Sequence, residues 1–199
     1  MSQQEFWNQK FSREGYLYGI KPNTYIASKT KLFPRESQLL CLGEGEGRNA
    51  IFFAKKNFEV TALDASDIGL SKLNERAVQE DVKVHTQCID LNEWEASHQY
   101  DVIVASYLHM YKNERDDLFE KIEESLKEGG YFVGEFFSTK QLNYNSGGPK
   151  DEELLYTVED FKKHFALCQE VEINEQITIL DEGKGHQGEA CVIRVFIQK

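Results

Sequence analysis

Three glycines at alternate positions, Gly43, Gly45 and Gly47, stand in the stretch Leu39-Leu-Cys-Leu-Gly-Glu-Gly-Glu-Gly-Arg-Asn-Ala50. A residue without a Cβ takes positive φ readily and lets a ligand approach the backbone. The helix expected next would present free N–H groups at its start. Asp64 follows about 20 residues downstream, the separation at which a carboxylate can accept both hydroxyls of a ribose. Its alternative role is an N-cap for the next helix, a task that Ser66 or Asp67 can also perform. Asp90, in Cys88-Ile-Asp-Leu-Asn-Glu, is placed to receive the amino group of an adenine. The chemistry indicated is nucleotide binding. Gly45-x-Gly47-x-x-Ala50 also satisfies a dinucleotide fingerprint, so a nicotinamide cofactor has to be weighed.

A second group of residues suits acceptor chemistry. Ser106-Tyr-Leu-His-Met-Tyr111 places His109 in a loop, where an imidazole titrating near neutrality can contact a substrate or take its proton. The plainer reading is a loop histidine with its hydrogen bonds satisfied. His186 lies in a turn-rich connection near the end of the chain and can enter the same pocket. Arg194, among Val192, Ile193 and Val195, is either an edge charge or an anion contact facing the pocket. Trp7, Phe11, Tyr16 and Tyr18 form an aromatic N-terminal segment. It either folds over the pocket as a lid or packs on the sheet.

These residues need a scaffold, and the hydrophobic pattern supplies one. Apolar runs over 38–42, 59–63, 82–86, 100–105 and 131–137 read as strands. Helical spacing appears over 48–57 and 67–79, and again from Asn113 through Leu118, Ile122 and Leu126 up to Gly129-Gly130. Thr157 begins a further helix, and two β-rich segments, 171–180 and 190–197, close the chain as a hairpin joined by Asp-Glu-Gly-Lys-Gly-His-Gln-Gly-Glu. Alternating strands and helices give an α/β, doubly wound, mostly parallel sheet. The closing pair adds an antiparallel edge. The strand ends then carry the candidate site.

The 199 residues suit one domain with a substantial core. A net charge of −11 argues against a phosphate-backbone partner, so no nucleic acid is expected. No apolar run reaches the roughly 18 residues that span a bilayer, so no membrane insertion is expected. The N-terminus Met-Ser-Gln-Gln-Glu-Phe-Trp lacks a secretory pattern, which leads to the expectation of a cytoplasmic protein. Cys41, Cys88, Cys168 and Cys191 form no CxxC pair and read as thiols rather than metal ligands. No metal site is expected.

Taken together, several segments resemble one family. They are Tyr18-Gly-Ile-Lys-Pro-Asn23, Gly43-Glu-Gly-Glu-Gly-Arg-Asn49, Thr61-Ala-Leu-Asp64, Ile89-Asp90-Leu91, Tyr100-Asp-Val-Ile-Val104, Gly147-Gly-Pro-Lys-Asp151 with Leu154-Leu-Tyr-Thr157, and Glu182-Gly-x-x-His-x-Gly188. The chain resembles class I S-adenosylmethionine-dependent methyltransferases, specifically the small bacterial tellurite-resistance and thiopurine type, over nearly its whole length. The resemblance implies a Rossmann-like, seven-stranded sheet with an antiparallel last strand, and a single methyltransferase domain over 1–199 with 1–33 as a helical lid. It implies S-adenosylmethionine as cofactor and S-adenosylhomocysteine as product. Gly43, Glu44, Gly45, Gly47, Arg48 and Asn49 would lie around the methionine moiety. Asp64 and Ala65 would hold the ribose, Asp90 and Leu91 the adenine, and Ser106 and Tyr18 would complete the site.

His109, His186 and Arg194 are then the candidates for the catalytic side. In-line methyl transfer asks mainly for alignment and exclusion of water, with a base only where the acceptor arrives protonated. The family suggests a small, soft nucleophile such as a thiol, a thiopurine or a chalcogen oxyanion, bound by a monomer or homodimer. The loop after the fourth strand lacks the Asp/Asn-Pro-Pro-aromatic motif of amine-directed relatives. Cys41 stands where many members carry an acid that orients the methionine amino group, leaving Glu44 or Glu46 to compensate. Two other readings differ in what they bind. An NAD(P)-dependent oxidoreductase would bind NADH and not S-adenosylhomocysteine, and would need a second mononucleotide half that the 60 or so residues after the fifth strand do not supply. A non-catalytic sensor would bind S-adenosylmethionine without transferring its methyl group.

Overall fold

The computed structural model describes residues 1–199. Seven strands form one sheet: β1 (Gln38–Leu42), β2 (Glu59–Asp64), β3 (Val84–Cys88), β4 (Tyr100–Ser106), β5 (Leu126–Phe137), β6 (Glu170–Glu182) and β7 (His186–Gln198), in the order β3-β2-β1-β4-β5-β7-β6. The first five pair in parallel. β7 runs antiparallel to both neighbours. The expected sheet is therefore present, with one refinement: the antiparallel strand lies inside the sheet, and β6 is the edge.

Six helices accompany the strands: α1 (Gln3–Phe11), α2 (Thr24–Lys29), α3 (Arg48–Ala54), α4 (Asp67–Gln79), α5 (Arg115–Glu124) and α6 (Val158–His164). Apolar side chains of β1, β4 and β5 point alternately to two cores, as strands covered on both faces require. Leu40, Ile103 and Phe132 join α5 and α6 on one side, while Leu39, Val102 and Val133 join α2, α3 and α4 on the other.

Several boundaries differ from the sequence pattern, each for a local reason. α3 stops at Ala54 rather than running to 57, because Asn57 turns left-handed at φ 64°. β3 starts two residues late, since the Val82 N–H closes the end of α4 on the Ala77 carbonyl. Asn113 caps nothing: Lys112–Glu114 is a 3-10 turn whose Glu114 carboxylate takes the Tyr111 N–H. α5 ends at Glu124, and Leu126 already pairs with Tyr100 as the first residue of β5. Gly129-Gly130 thus bends a strand instead of stopping a helix. The closing strands extend to Glu182 and from His186, so most of the connection expected as turn is paired backbone.

Arg115 fixes the loop after β4. Its guanidinium, 2% exposed on the side chain, donates to the carbonyls of Met110 and Glu153, pairs with Asp160 at 3.0 Å and lies 4.0 Å over the Tyr156 ring. Arg115→Leu takes the guanidinium donor from both carbonyls and leaves Asp160 with only the Thr157 N–H. It should lower unfolding free energy by about 3 kcal/mol in urea denaturation, and a loss within experimental error would remove this role.

Candidate functional site

The strand order reverses between β1 and β4, and in doubly wound sheets a crevice opens there beyond the carboxyl ends of the strands. A hollow of about 840 Å³, open solvent at its mouth included, occupies that place. The glycine loop forms its floor. Gly45 and Gly47 have φ of 59° and 87°. A Cβ on Gly45 would meet the Phe11 ring at 2.8 Å, and one on Gly47 would meet Leu73 at 2.3 Å. No other residue fits at either position without displacing the packing.

Three carboxylates hold the floor together. Glu44 accepts the N–H groups of Asn49 and Ala50 at 2.7 and 2.8 Å. It consumes donors at the start of α3 that the sequence left available to a ligand. Burial pushes its carboxyl up to about 7 against those same N–H donors. Glu46 takes the Leu17 N–H at 2.7 Å and Lys72 at 2.8 Å. Lys72 also donates to the carbonyls of Arg13 and Gly15, so this pair fastens the N-terminal segment to the loop. Asp64 accepts from Gly45 N–H and Ser66 N–H, both at 2.7 Å, one on each oxygen. Burial pushes it up to about 6. Ser66, not Asp64, caps α4. Each Asp64 oxygen keeps a second acceptor direction, which fits a pair of vicinal hydroxyls.

Ala65, Asp90, Leu91 and Ser106 continue this wall. Asp90 uses Oδ1 on the Asn92 N–H at 3.0 Å, and its other oxygen is available to a donor such as an exocyclic amine. Cys41 lies fully buried beneath the loop, and burial, then the adjoining Glu44 carboxylate, push its thiol well up. It is a neutral core group.

The opposite wall carries the imidazoles. His109 is half-buried, with its ring 5.1 Å from Trp7. Burial, then the neighbouring His186 and Lys10, push it down to about 4, so it is neutral at pH 7. His186, 3% exposed, directs Nδ1 at Glu182 Oε2, 3.3 Å away. Glu182 also receives Arg48 Nη2 at 3.2 Å and Asn23 Nδ2 at 3.4 Å. Arg48 Nη1 comes within 3.0 Å of Oε1 but is misaligned for a hydrogen bond. Burial raises the Glu182 carboxyl, yet the His186 hydrogen bond and Arg48 outweigh it and hold the group below its usual value. An ionised Glu182 fixes the proton on Nδ1 and leaves Nε2 as the basic nitrogen. Burial, opposed by Glu182, lowers His186 itself.

Tyr107, between Ser106 and Leu108, is a bulky residue at φ 53°. It turns its hydroxyl away from the pocket onto buried Glu135 at 2.5 Å. Such a backbone outlier persists only where its surroundings over-determine it.

The structure brings most expected residues together: Gly43, Glu44, Gly45, Gly47, Arg48 and Tyr18, the Asp64–Ala65 and Asp90–Leu91 pairs, and Ser106, His109 and His186 all line the hollow. Two lie outside it. Asn49 is behind the wall, accepting from Asn23 N–H at 2.9 Å and donating to Ser106 Oγ at 3.1 Å. Arg194 is neither an edge charge nor a pocket contact. On the interior strand β7 it donates to Glu135 at 2.6 Å and stacks 5.0 Å from Tyr25. The pocket also includes Trp7, Phe11, Glu46, Tyr107 and Met110. The support by Glu182 was readable in principle: Glu-Gly-x-x-His across a tight hairpin places positions 182 and 186 opposite each other. Nothing in the sequence pattern pointed to the buried Glu135.

The family model described as Tellurite resistance protein TehB matches residues 6–194. A curated relative, "Probable S-adenosyl-L-methionine-dependent methyltransferase TehB" of Haemophilus influenzae (strain 10810), is 28% identical over 96 residues, which make up 47% of this chain and 34% of the relative. The match thus spans about a third of that relative's length. Among solved structures, TehB from Haemophilus influenzae superposes with a TM-score of 0.72 at 18% identity, covering 100% of this chain and 67% of that one. The N-methyltransferase NodS from Bradyrhizobium japonicum WM9, in complex with S-adenosylhomocysteine, gives a TM-score of 0.72 at 10% identity over 100% of this chain and 99% of that one. The fold is the one these methyltransferases share.

A carboxyl whose value is raised by folding keeps its proton longer in the native state. Its contribution to stability is complete below about pH 4 and is lost as pH rises through the folded value. For Asp64, whose folded value is about 6, that contribution in ligand-free protein should be lost between about pH 4 and pH 6. Asp64→Asn should flatten that slope. An unchanged Tm–pH profile in the variant would show that Asp64 is not the titrating group.

Proposed function

The chain belongs to the Tellurite resistance protein TehB family, and from that premise we propose that it transfers a methyl group from S-adenosylmethionine to a small acceptor. The observation that carries this reading is Asp64. It is a buried carboxylate with one N–H on each oxygen, bonded to the glycine loop through Gly45, and it lines the same pocket as Asp90. Asp64 would receive the ribose hydroxyls and Asp90 the adenine amine, with the methionine end over Gly43, Gly45 and Gly47. Bound there, the cofactor supplies an electrophilic methyl group on a sulfonium.

The chain's own residues supply alignment and dryness. The N-terminal segment contributes Trp7, Phe11 and Tyr18 to the walls and serves as the lid. His186, with Nδ1 on Glu182, offers Nε2 as acceptor for a proton that a thiol or an oxyacid would release. His109, neutral and without a protein hydrogen-bond partner, contacts the acceptor. Arg194 has no part in this scheme. Arg48 lines the pocket, but its charge is largely spent on Glu182. The rings and neutral imidazoles around the acceptor side favour a soft nucleophile such as a thiol or a chalcogen oxyanion over a highly charged one. We place this chemistry in the cytoplasm. No helix is long and apolar enough to cross a membrane.

Calorimetry with S-adenosylhomocysteine, with NADH in parallel, tests the proposal. Saturable binding of S-adenosylhomocysteine alone is expected, and Asp64→Ala should weaken it at least about tenfold, the loss expected for a charge-assisted hydrogen-bond pair. Binding of NADH alone would reverse the cofactor assignment. Binding of S-adenosylhomocysteine without transfer to any thiol or chalcogen oxyanion would favour a sensor.

A further inference from the structure

Two segments distant in sequence meet over the pocket almost backbone to backbone. A Cβ on Gly183 would come within 2.4 Å of the Gly19 nitrogen and 2.6 Å of the Leu17 carbonyl oxygen. The Gly185 N–H donates to that same carbonyl at 2.9 Å. Tyr18 is laid into this seam: a Cβ on Gly185 would sit 2.4 Å from its Cε1 atom. The turn between β6 and β7 is therefore glycine-rich where the N-terminal segment crosses it, and the phenol ring takes the room that side chains would have used.

The same ring meets His186, with centroids 4.3 Å apart and planes at 33°. The other neighbours of this imidazole are Tyr107 at 4.5 Å, Phe137 at 5.1 Å and Gly147, where a Cβ would approach Cδ2 to 2.5 Å. All three belong to the sheet or its loops. Tyr18 alone comes from the segment that also sends Phe11 onto Gly45 and Trp7 onto His109.

We propose that Tyr18 is a positioning residue for His186, holding the imidazole in its orientation only while the N-terminal segment is closed, so that the acceptor side is complete once the cofactor side is covered. The proposal rests on reading the pocket as a cofactor-and-acceptor site. It couples the two sides of the pocket: a cofactor that holds the segment closed also holds the imidazole that the acceptor meets.

The charged and titratable groups facing His186 are Glu182 from β6, Arg48 from α3, Glu135 from β5, Tyr107 and His109 from the loop after β4, and Tyr18 itself. All but Tyr18 stay in place when the ring is removed, so a change in His186 titration reports the lost cover. The test follows the His186 Cε1–H resonance of the full chain against pH, assigned with His186→Gln, in the wild type, Tyr18→Phe and Tyr18→Leu.

Wild type and Tyr18→Phe should titrate alike, below an ordinary histidine. Tyr18→Leu admits water to the ring, and its midpoint should rise by on the order of half a pH unit or more. Saturating S-adenosylhomocysteine should shift the wild-type midpoint and shift that of Tyr18→Leu less. Should Tyr18→Leu fail to fold, Gly185→Ala, which pushes the ring out from the turn side, should raise the midpoint in the same direction. A His186 midpoint unchanged in a folded Tyr18→Leu or Gly185→Ala protein would overturn the proposal. Failure of the wild type to bind S-adenosylhomocysteine would sink the cofactor reading instead, while the ligand-free midpoints decide Tyr18 by themselves.

Discussion

A carboxylate removed from water must find donors for its oxygens or give up its charge, and this requirement organises the working end of the protein. Its five buried acidic side chains, Glu44, Glu46, Asp64, Glu135 and Glu182, all stand near the carboxyl ends of strands or in the loops that leave them. Each resolves the problem by tying two pieces of chain together. Glu44 bonds its own loop to α3, Asp64 bonds β2 to the glycine loop, and Glu46 bonds that loop to Leu17 and Lys72. Glu135 gathers Asn23, Tyr107 and Arg194, and Glu182 gathers Arg48, His186 and Asn23. Were these donors lost, the glycine loop, the N-terminal segment and the closing hairpin would have little to hold them in register.

The donors are unequal, and the inequality sets the electrostatics. Glu44 and Asp64 are bonded mainly by backbone N–H groups, which only partly offset desolvation, and both carboxyls are raised toward neutrality. Glu182 has a guanidinium and an imidazole, and it stays ionised. The floor of the pocket is therefore responsive to pH and to any ligand that brings further donors, whereas the imidazole support is fixed. Such a division suits a site that must recognise hydroxyls on one side and hold a proton acceptor still on the other.

Much of this was legible in the chain itself. The glycine spacing, the acid after the second strand and the alternation of strands and helices announced the sheet and its ligand-binding edge, because backbone conformation and strand burial are local demands written into residue type. The helix at 67–79 was readable to its last residue, carrying its own cap in Ser66. Where boundaries moved, a tertiary partner intervened: Leu126 reads as helical by spacing, yet its backbone pairs with Tyr100 across the sheet. Arg194 shows the same limit. Whether a charge within a strand meets solvent, substrate or a buried acid depends on which strand lies alongside, and β5 places Glu135 directly opposite.

By itself, then, the sequence determined the fold class and the glycine loop with Asp64 and Asp90 downstream of it, properties of spacing along one chain, and it offered His109 and His186 as candidates for the same edge. Only the tertiary structure decided how each candidate is used. It turned Glu44 inward as a cap, set Asn49 behind the wall, gave Arg194 to Glu135, and seated Tyr18 between a glycine turn and His186. Those outcomes depend on contacts between residues as many as 168 positions apart (Tyr18 to His186). Side-chain chemistry states what such a group can do, and packing alone selects the neighbour with which it does it.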